Sequence, residues 1–224
     1  MKPTIYKPSI YKGAGIYKAG AEGGGGGGGD LPEGYISAIY ARSNGSVTLD
    51  FTGLNVNYND KFIIELDLKT VQQGSLGFRA SNNSLSLYPD IGVIDNLFFI
   101  PRYSYNGGLT ASVNWLNYSN GGLIKITCNK RYCVIDCDAS NYHRTIDRNT
   151  TAIDSIIDTI KLFAWSSGGY NYPFDGTIYS LKVYDKDNPD KLNADFVPCR
   201  NENNVLGFYE KISGQFKGSA NLVE

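Results

Sequence analysis

Residues 62–70 read FIIELDLKT. Phe62, Ile64, Leu66 and Leu68 share one parity, and Ile63, Glu65, Asp67 and Lys69 the other. A strict period of two predicts a half-buried β-strand with one polar face. Similar segments follow in quick succession. SLGFRAS and SLSLYP are separated by Asn82-Asn83, and NLFFIPRY and LTASVNWLNY by Asn106-Gly107-Gly108. LIKITC and YCVIDC flank Asn129-Lys130-Arg131, which predicts a tight hairpin. TIKLFAW, TIYSLKVYD, NADFVPC and VLGFYEK complete the series. Strands at this spacing, with 17 tyrosines, 10 phenylalanines and 26 glycines, predict an all-β sandwich or jelly roll with many turns. One segment disagrees. In TTAIDSIIDTIKLF, Ile153, Ile156, Ile157 and Ile160 fall at helical spacing and predict a short helix over about 150–157.

The chain divides into three zones. Residues 1–18 carry Ile-Tyr-Lys three times: Ile5-Tyr6-Lys7, Ile10-Tyr11-Lys12 and Ile16-Tyr17-Lys18. Residues 19–30, AGAEGGGGGGGD, read as a flexible linker with a span of roughly 20 Å. Residues 31–224 read as one domain, long enough to bury a core. Pro3, Pro8 and Gly13-Ala14-Gly15 oppose helix in the arm. Each repeat pairs a β-branched residue and an aromatic with a cation. That suits an extended peptide laid on another protein, three weak contacts gaining by effective concentration. A disordered tail is the alternative.

A net charge of −1 argues against a nucleic-acid binder working by bulk electrostatics. The N-terminus shows no apolar core of a signal peptide, and no stretch approaches the length of a membrane span. Cys128, Cys133, Cys137 and Cys199 lack paired CxxC spacing. Cys128 and Cys133 flank the predicted hairpin. Without a secretion signal, buried thiols are preferred over disulfides, and a structural zinc site ranks third.

The C-terminal third carries several short motifs in one order. They are Leu162-Phe163-Ala164, Gly176-Thr177-Ile178-Tyr179-Ser180, Tyr184-Asp185, Asp195-Phe196-Val197-Pro198-Cys199, Gly207-Phe208-Tyr209-Glu210 and Ser213-Gly214-Gln215-Phe216. With LPEGY at 31–35, this pattern resembles the concanavalin A-like, laminin-G-like jelly-roll domains of many phage and prophage tail proteins. The resemblance spans about 31–218 and is strongest over 160–216. Its start departs from the usual pattern, with only IYARSNGSVTLDF at 39–51. It implies a two-sheet jelly roll in a virion protein, assembled in the host cytoplasm. It also implies a homo-oligomer, with a trimer the usual state in fibres of this kind.

Jelly-roll glycoside hydrolases align Glu-x-Asp-x-Glu on one strand face. Here Glu65 and Asp67 are present, but Lys69 takes the third place and cannot protonate a leaving oxygen. A polar sheet face with Glu–Lys pairing is the preferred reading. His143 is the one histidine; Asp136, Asp138 and Asp147 lie near it in sequence, yet nothing in the spacing assembles a triad. A polar loop histidine is the simpler reading. The glycine run lacks the Lys-Ser/Thr ending and preceding strand of a phosphate loop. No enzyme is expected, and no cofactor. The resemblance leaves calcium as an option, with Asp136 and Asp138 as contributors, although no calcium-loop spacing is present.

Sugar recognition uses aromatic faces with Asn and Asp to read hydroxyls. AWSSGGYNYPFDG at 164–176 supplies Trp165, Tyr170, Asn171, Tyr172 and Asp175. NWLNYSNGG at 114–122 adds Trp115, Tyr118 and Asn120. Loops on a rigid sandwich are where such sites usually sit; either tryptophan has a core position as its alternative. The expectation is a virion fibre or receptor-binding protein whose arm anchors to other virion proteins and whose head binds host-surface glycan. The alternatives are a non-binding decoration or oligomerisation module, and a bacterial cell-surface adhesin. No nucleic-acid or membrane partner is expected.

Overall fold

The computed structural model describes residues 31–70, 78–81, 86–94, 98–105, 108–112, 116–117, 124–128, 132–137, 142–147, 155–163 and 174–224. In chain order the strands are β1 (Ile36–Ser37), β2 (Ala41–Asn44), β3 (Leu49–Asn57), β4 (Lys61–Thr70), β5 (Phe78–Ser81), β6 (Ser86–Ile94), β7 (Phe98–Tyr105), β8 (Gly108–Ser112) and β9 (Leu116–Asn117). They continue with β10 (Ile124–Cys128), β11 (Tyr132–Cys137), β12 (Tyr142–Asp147), β13 (Ile156–Leu162), β14 (Asp175–Tyr184), β15 (Leu192–Arg200), β16 (Leu206–Glu210) and β17 (Gln215–Gly218). Among the described residues there is no helix.

Two antiparallel sheets form a concanavalin A-like jelly-roll sandwich. One runs β12-β11-β10-β4-β14-β15-β16-β17, with β1 on β15 and β2 on β14. The other runs β3-β13-β5-β6-β7-β8, with β9 on β7. The alternation in 62–70 places β4 as expected: Phe62, Ile64 and Leu66 are buried, while Ile63, Glu65 and Asp67 face outward. Phenylalanines join the sheets. Phe51 of β3 meets Phe196 of β15 edge-on at 4.8 Å, and Phe62 of β4 stacks on Phe78 of β5 at 5.7 Å. Truncating such a ring to alanine costs about 3–5 kcal/mol.

The helix expected over about 150–157 is not the structure at its end. Residues 150–154 lie outside the described residues, but Ile156 and Ile157 begin β13, paired with Asn57 and Val56 of β3. A bulge between Ile157 and Thr159 explains the misleading period. Two positions from Ile157 to Thr159 face four from Val56 to Thr52, so β3 carries the extra residues, and across this irregularity Ile157 and Ile160 are both fully buried.

The hairpins follow their turn residues. Cys128 and Cys133 are opposed across β10 and β11, and Tyr105 opposes Gly108 across β7 and β8. Cys199, on β15, is a buried free thiol, and burial pushes its pKa up to about 11. No helix among the described residues is long and apolar enough to cross a membrane.

Candidate functional site

β13 and β14 are joined by the segment richest in sugar-reading residues. Its two ends are fixed in the core. Phe163, directly after β13, and Phe174, directly before β14, are both buried, and their rings meet at 5.9 Å. Phe163 also packs edge-on against Phe208 of β16 at 6.1 Å. Its backbone turns out of the sheet in the left-handed region, at φ 53°, a strained conformation for a bulky residue. The Thr48 hydroxyl donates to the Phe163 carbonyl at 3.2 Å and secures that turn.

The return strand is equally constrained. Gly176 packs so closely that a Cβ there would sit 2.6 Å from the Asp67 carbonyl oxygen and 2.9 Å from the Phe174 ring. Asp175, the first residue of β14, lies 3.6 Å from the Arg42 guanidinium of β2. Its Oδ1 is buried and accepts no hydrogen bond. Asp175 is the predicted site residue that the description reaches. Trp165, Tyr170, Asn171, Tyr172, Trp115, Tyr118 and Asn120 lie outside the described residues, as do the anchoring residues of 1–18.

On the outer face of the larger sheet, charges pair across strands. Glu65 of β4 sits 3.3 Å from Lys125 of β10 and accepts from the Ser180 hydroxyl of β14 at 3.2 Å. Asp136 of β11 bonds Nδ1 of His143. His143 is therefore on a strand, not a loop, directly opposite Asp136. Asp136 is likewise a strand residue, already engaged by the imidazole. Asp147 opposes Tyr132 at the far end of β12, and Asp138 lies outside the described residues. The Glu–Lys pairing expected of this face is present, with Lys125 as the partner. Among the described residues no three His, Cys, Asp or Glu are arranged to hold a metal.

Two corners organised by carboxylates had no site reading from sequence. Glu210 is fully buried and accepts from the backbone N–H groups of Asp195 (2.8 Å), Ile212 (3.1 Å) and Ser213 (2.6 Å). It thereby shapes the turn into β17, where Gly214 takes φ 73°. The Tyr-Glu and Ser-Gly-x-Phe motifs thus have a structural role. At the β14–β15 turn, buried Asp60 accepts from the N–H groups of Asn57 and Lys186 and from the Asn193 amide, at 2.8, 2.9 and 2.8 Å. Burial pushes the Asp60 carboxyl above its usual range, against the pull of those bonds. Neighbouring Asp185 is held well below that range, first by the Lys191 ammonium at 2.9 Å and next by the Asp187 N–H.

No family model and no curated protein matches the sequence. Solved structures match the fold. A native heptameric SAP-like pentraxin from Limulus polyphemus aligns with TM-score 0.52 at 9% identity, over 82% of this chain and 93% of that one. Mouse laminin α1 chain domains LG4-5 align at 0.47 and 14% identity, over 74% and 48%. CG-16, a homodimeric agglutinin from chicken liver, aligns at 0.36 and 10% identity, over 61% and 99%. The chain shares its two-sheet jelly-roll fold with the pentraxin. At these identities the likeness is one of fold.

Proposed function

We propose that this chain is a bacteriophage virion structural protein of the tail-fibre or head-fibre type. Residues 1–18 anchor it to other virion proteins, and the jelly roll binds host-surface carbohydrate. The observation that carries the binding half is the Phe163–Phe174 clasp. It brings the two chain ends that flank Trp165 to Tyr172 together on the sandwich, and scaffolds usually carry recognition residues between such fixed ends. The anchoring half rests on the Ile-Tyr-Lys repeats and the glycine linker. Glycan arrays probed with the full chain test the first half. Binding to host-surface glycans, lost in Trp165→Ala with an unchanged melting temperature, is expected; full binding by that variant would remove the loop from the reading. Deleting residues 1–18 should abolish incorporation into particles, and normal incorporation would refute the anchor.

A second reading, a non-binding oligomerisation or decoration module, draws on a different observation. Ile36, Ile39 and Val223 are 68%, 50% and 54% exposed. The Ile39 N–H donates to the Glu224 carboxylate, Val223 bridges Arg42, and Ile36 pairs with Arg200, whose side chain reaches the same Glu224 carboxylate. Such an apolar group suits contact between copies whose arms are held together. Trimeric full chain by sedimentation, with no glycan bound on any array, would favour it.

A further inference from the structure

We infer that the corner between β3, β13 and the β14–β15 turn is a second sugar subsite, shaped for a single neutral monosaccharide ring. The inference rests on the glycan-binding reading for its ligand class alone; the place is separate. β13 runs from this corner to the Phe163–Phe174 clasp, and β14 runs back from the clasp to the corner. At about 3.3 Å per residue, the 7 residues of β13 and the 10 of β14 put the two places about 20–30 Å apart, at opposite ends of the sandwich.

The corner holds a cavity of about 170 Å³, lined by Asn55, Ile156, Asp185, Asp187, Lys191 and Asn193 among others. That volume is below the roughly 300–1,000 Å³ of drug-sized sites and suits one ring, not an extended chain. The lining offers directed polar groups beside one apolar surface. The Asn193 amide nitrogen donates to Asp60 at 2.8 Å and Asp185 at 3.4 Å. Both acceptors are carboxylates, so the amide orientation is fixed, and Oδ1 is the atom left to accept a ligand hydroxyl. Asn55 is exposed and makes no side-chain hydrogen bond to a described residue, leaving both its donors and its acceptor for a ligand. Ile156 is 48% exposed beside them and supplies an apolar surface for ring C–H groups.

Charge favours a neutral ligand. Lys191 pairs with Asp185 and Lys186 with Asp187, so the four surface charges cancel in pairs. The Asp60 and Asp185 oxygens are already occupied by N–H donors, which disfavours a cation among them.

The test titrates ¹⁵N-labelled full chain with the methyl glycosides of glucose, galactose, mannose and N-acetylglucosamine. The resonances read are the Lys186 backbone amide and the Asn193 side-chain amide. Saturable shifts with at least one glycoside are expected. Asn55→Ala should bind about fivefold more weakly, the factor carried by one lost hydrogen bond, with an unchanged melting temperature. Trp165→Ala should leave these shifts intact. No saturable shift with any of the four overturns the inference, as does equal affinity in Asn55→Ala or a response to calcium chloride in place of sugar. Array binding lost in Trp165→Ala, with these resonances silent, would sink the subsite while sparing the functional reading. Pocket shifts without loop-dependent array binding would do the reverse.

Discussion

Glu210 and the Asp60–Asp185 pair solve one problem in two ways. Each carboxylate gathers backbone N–H groups that a tight turn would otherwise leave unpaired. Two of the three N–H groups on Glu210 come from residues two and three positions on. Asp60 instead takes partners 126 and 133 residues away. Glu210 is sealed and closes a hairpin; the Asp60 corner ties distant strands and borders a cavity. A sealed carboxylate with every oxygen engaged is committed to the fold. One at a cavity's edge can hold the fold and position neighbours for a ligand as well.

The largest break in this comparison is Glu210→Ala. It takes the acceptor from three N–H groups, that of Asp195 in the interior and those of Ile212 and Ser213 at the turn, and a loss of about 2–4 kcal/mol is expected, measured by urea unfolding. A loss under about 1 kcal/mol would mean that water replaces the carboxylate. Asp60→Asn comes next, at about 1–3 kcal/mol. One amide N–H₂ must then face an N–H donor, but the burial penalty that raises the Asp60 pKa disappears. If Asp60→Asn costs more than Glu210→Ala, the long-range corner is the stronger tie.

Acid titration sharpens the contrast within the corner. Asp185 has a depressed folded pKa, so its stabilisation is full above the ordinary carboxylate value of about 3.9 and fades as pH falls below it. Asp60 has a raised folded pKa, so its ionised form is penalised, and stability is regained as pH drops through that raised value. Asp185→Asn should therefore flatten the loss of melting temperature below about pH 4. Asp60→Asn should remove a gain on acidification just above it. Matching pH profiles for the two variants would contradict these opposite signs. The smallest effect belongs to Lys161→Ala. It removes the exposed pair with Asp50 at 2.6 Å and should cost at most about 0.5 kcal/mol.

What was legible follows the same division between near and far. β4, the hairpin at Asn129-Lys130-Arg131 and the β14 to β16 series were readable because alternation and turn chemistry are local. β13 was misread at its start because Ile157 and Ile160 are buried three positions apart across a register shift whose extra residues lie in the partner strand β3. The resemblance motifs located Glu210 without showing that it binds backbone, since its Asp195 partner is on another strand. Asp60 gave no signal at all: Asn-Asp-Lys reads as an ordinary turn, and its partners arrive only through the topology. Residues 164–173 lie outside the described residues, and the Phe163–Phe174 contact that fixes both their ends needed the core and could not be read from composition.

β4 lies between β10 and β14, and its Glu65 meets Ser180 from 115 residues further along the chain. A ribosome adding about 5–20 residues per second needs on the order of ten seconds to supply that neighbour. Until then β4 has one hydrogen-bonding edge uncovered, and neighbouring nascent chains on one message present the same edge. Yield in a heterologous host should therefore depend on translation speed and chaperone supply more than on the stability of the finished fold.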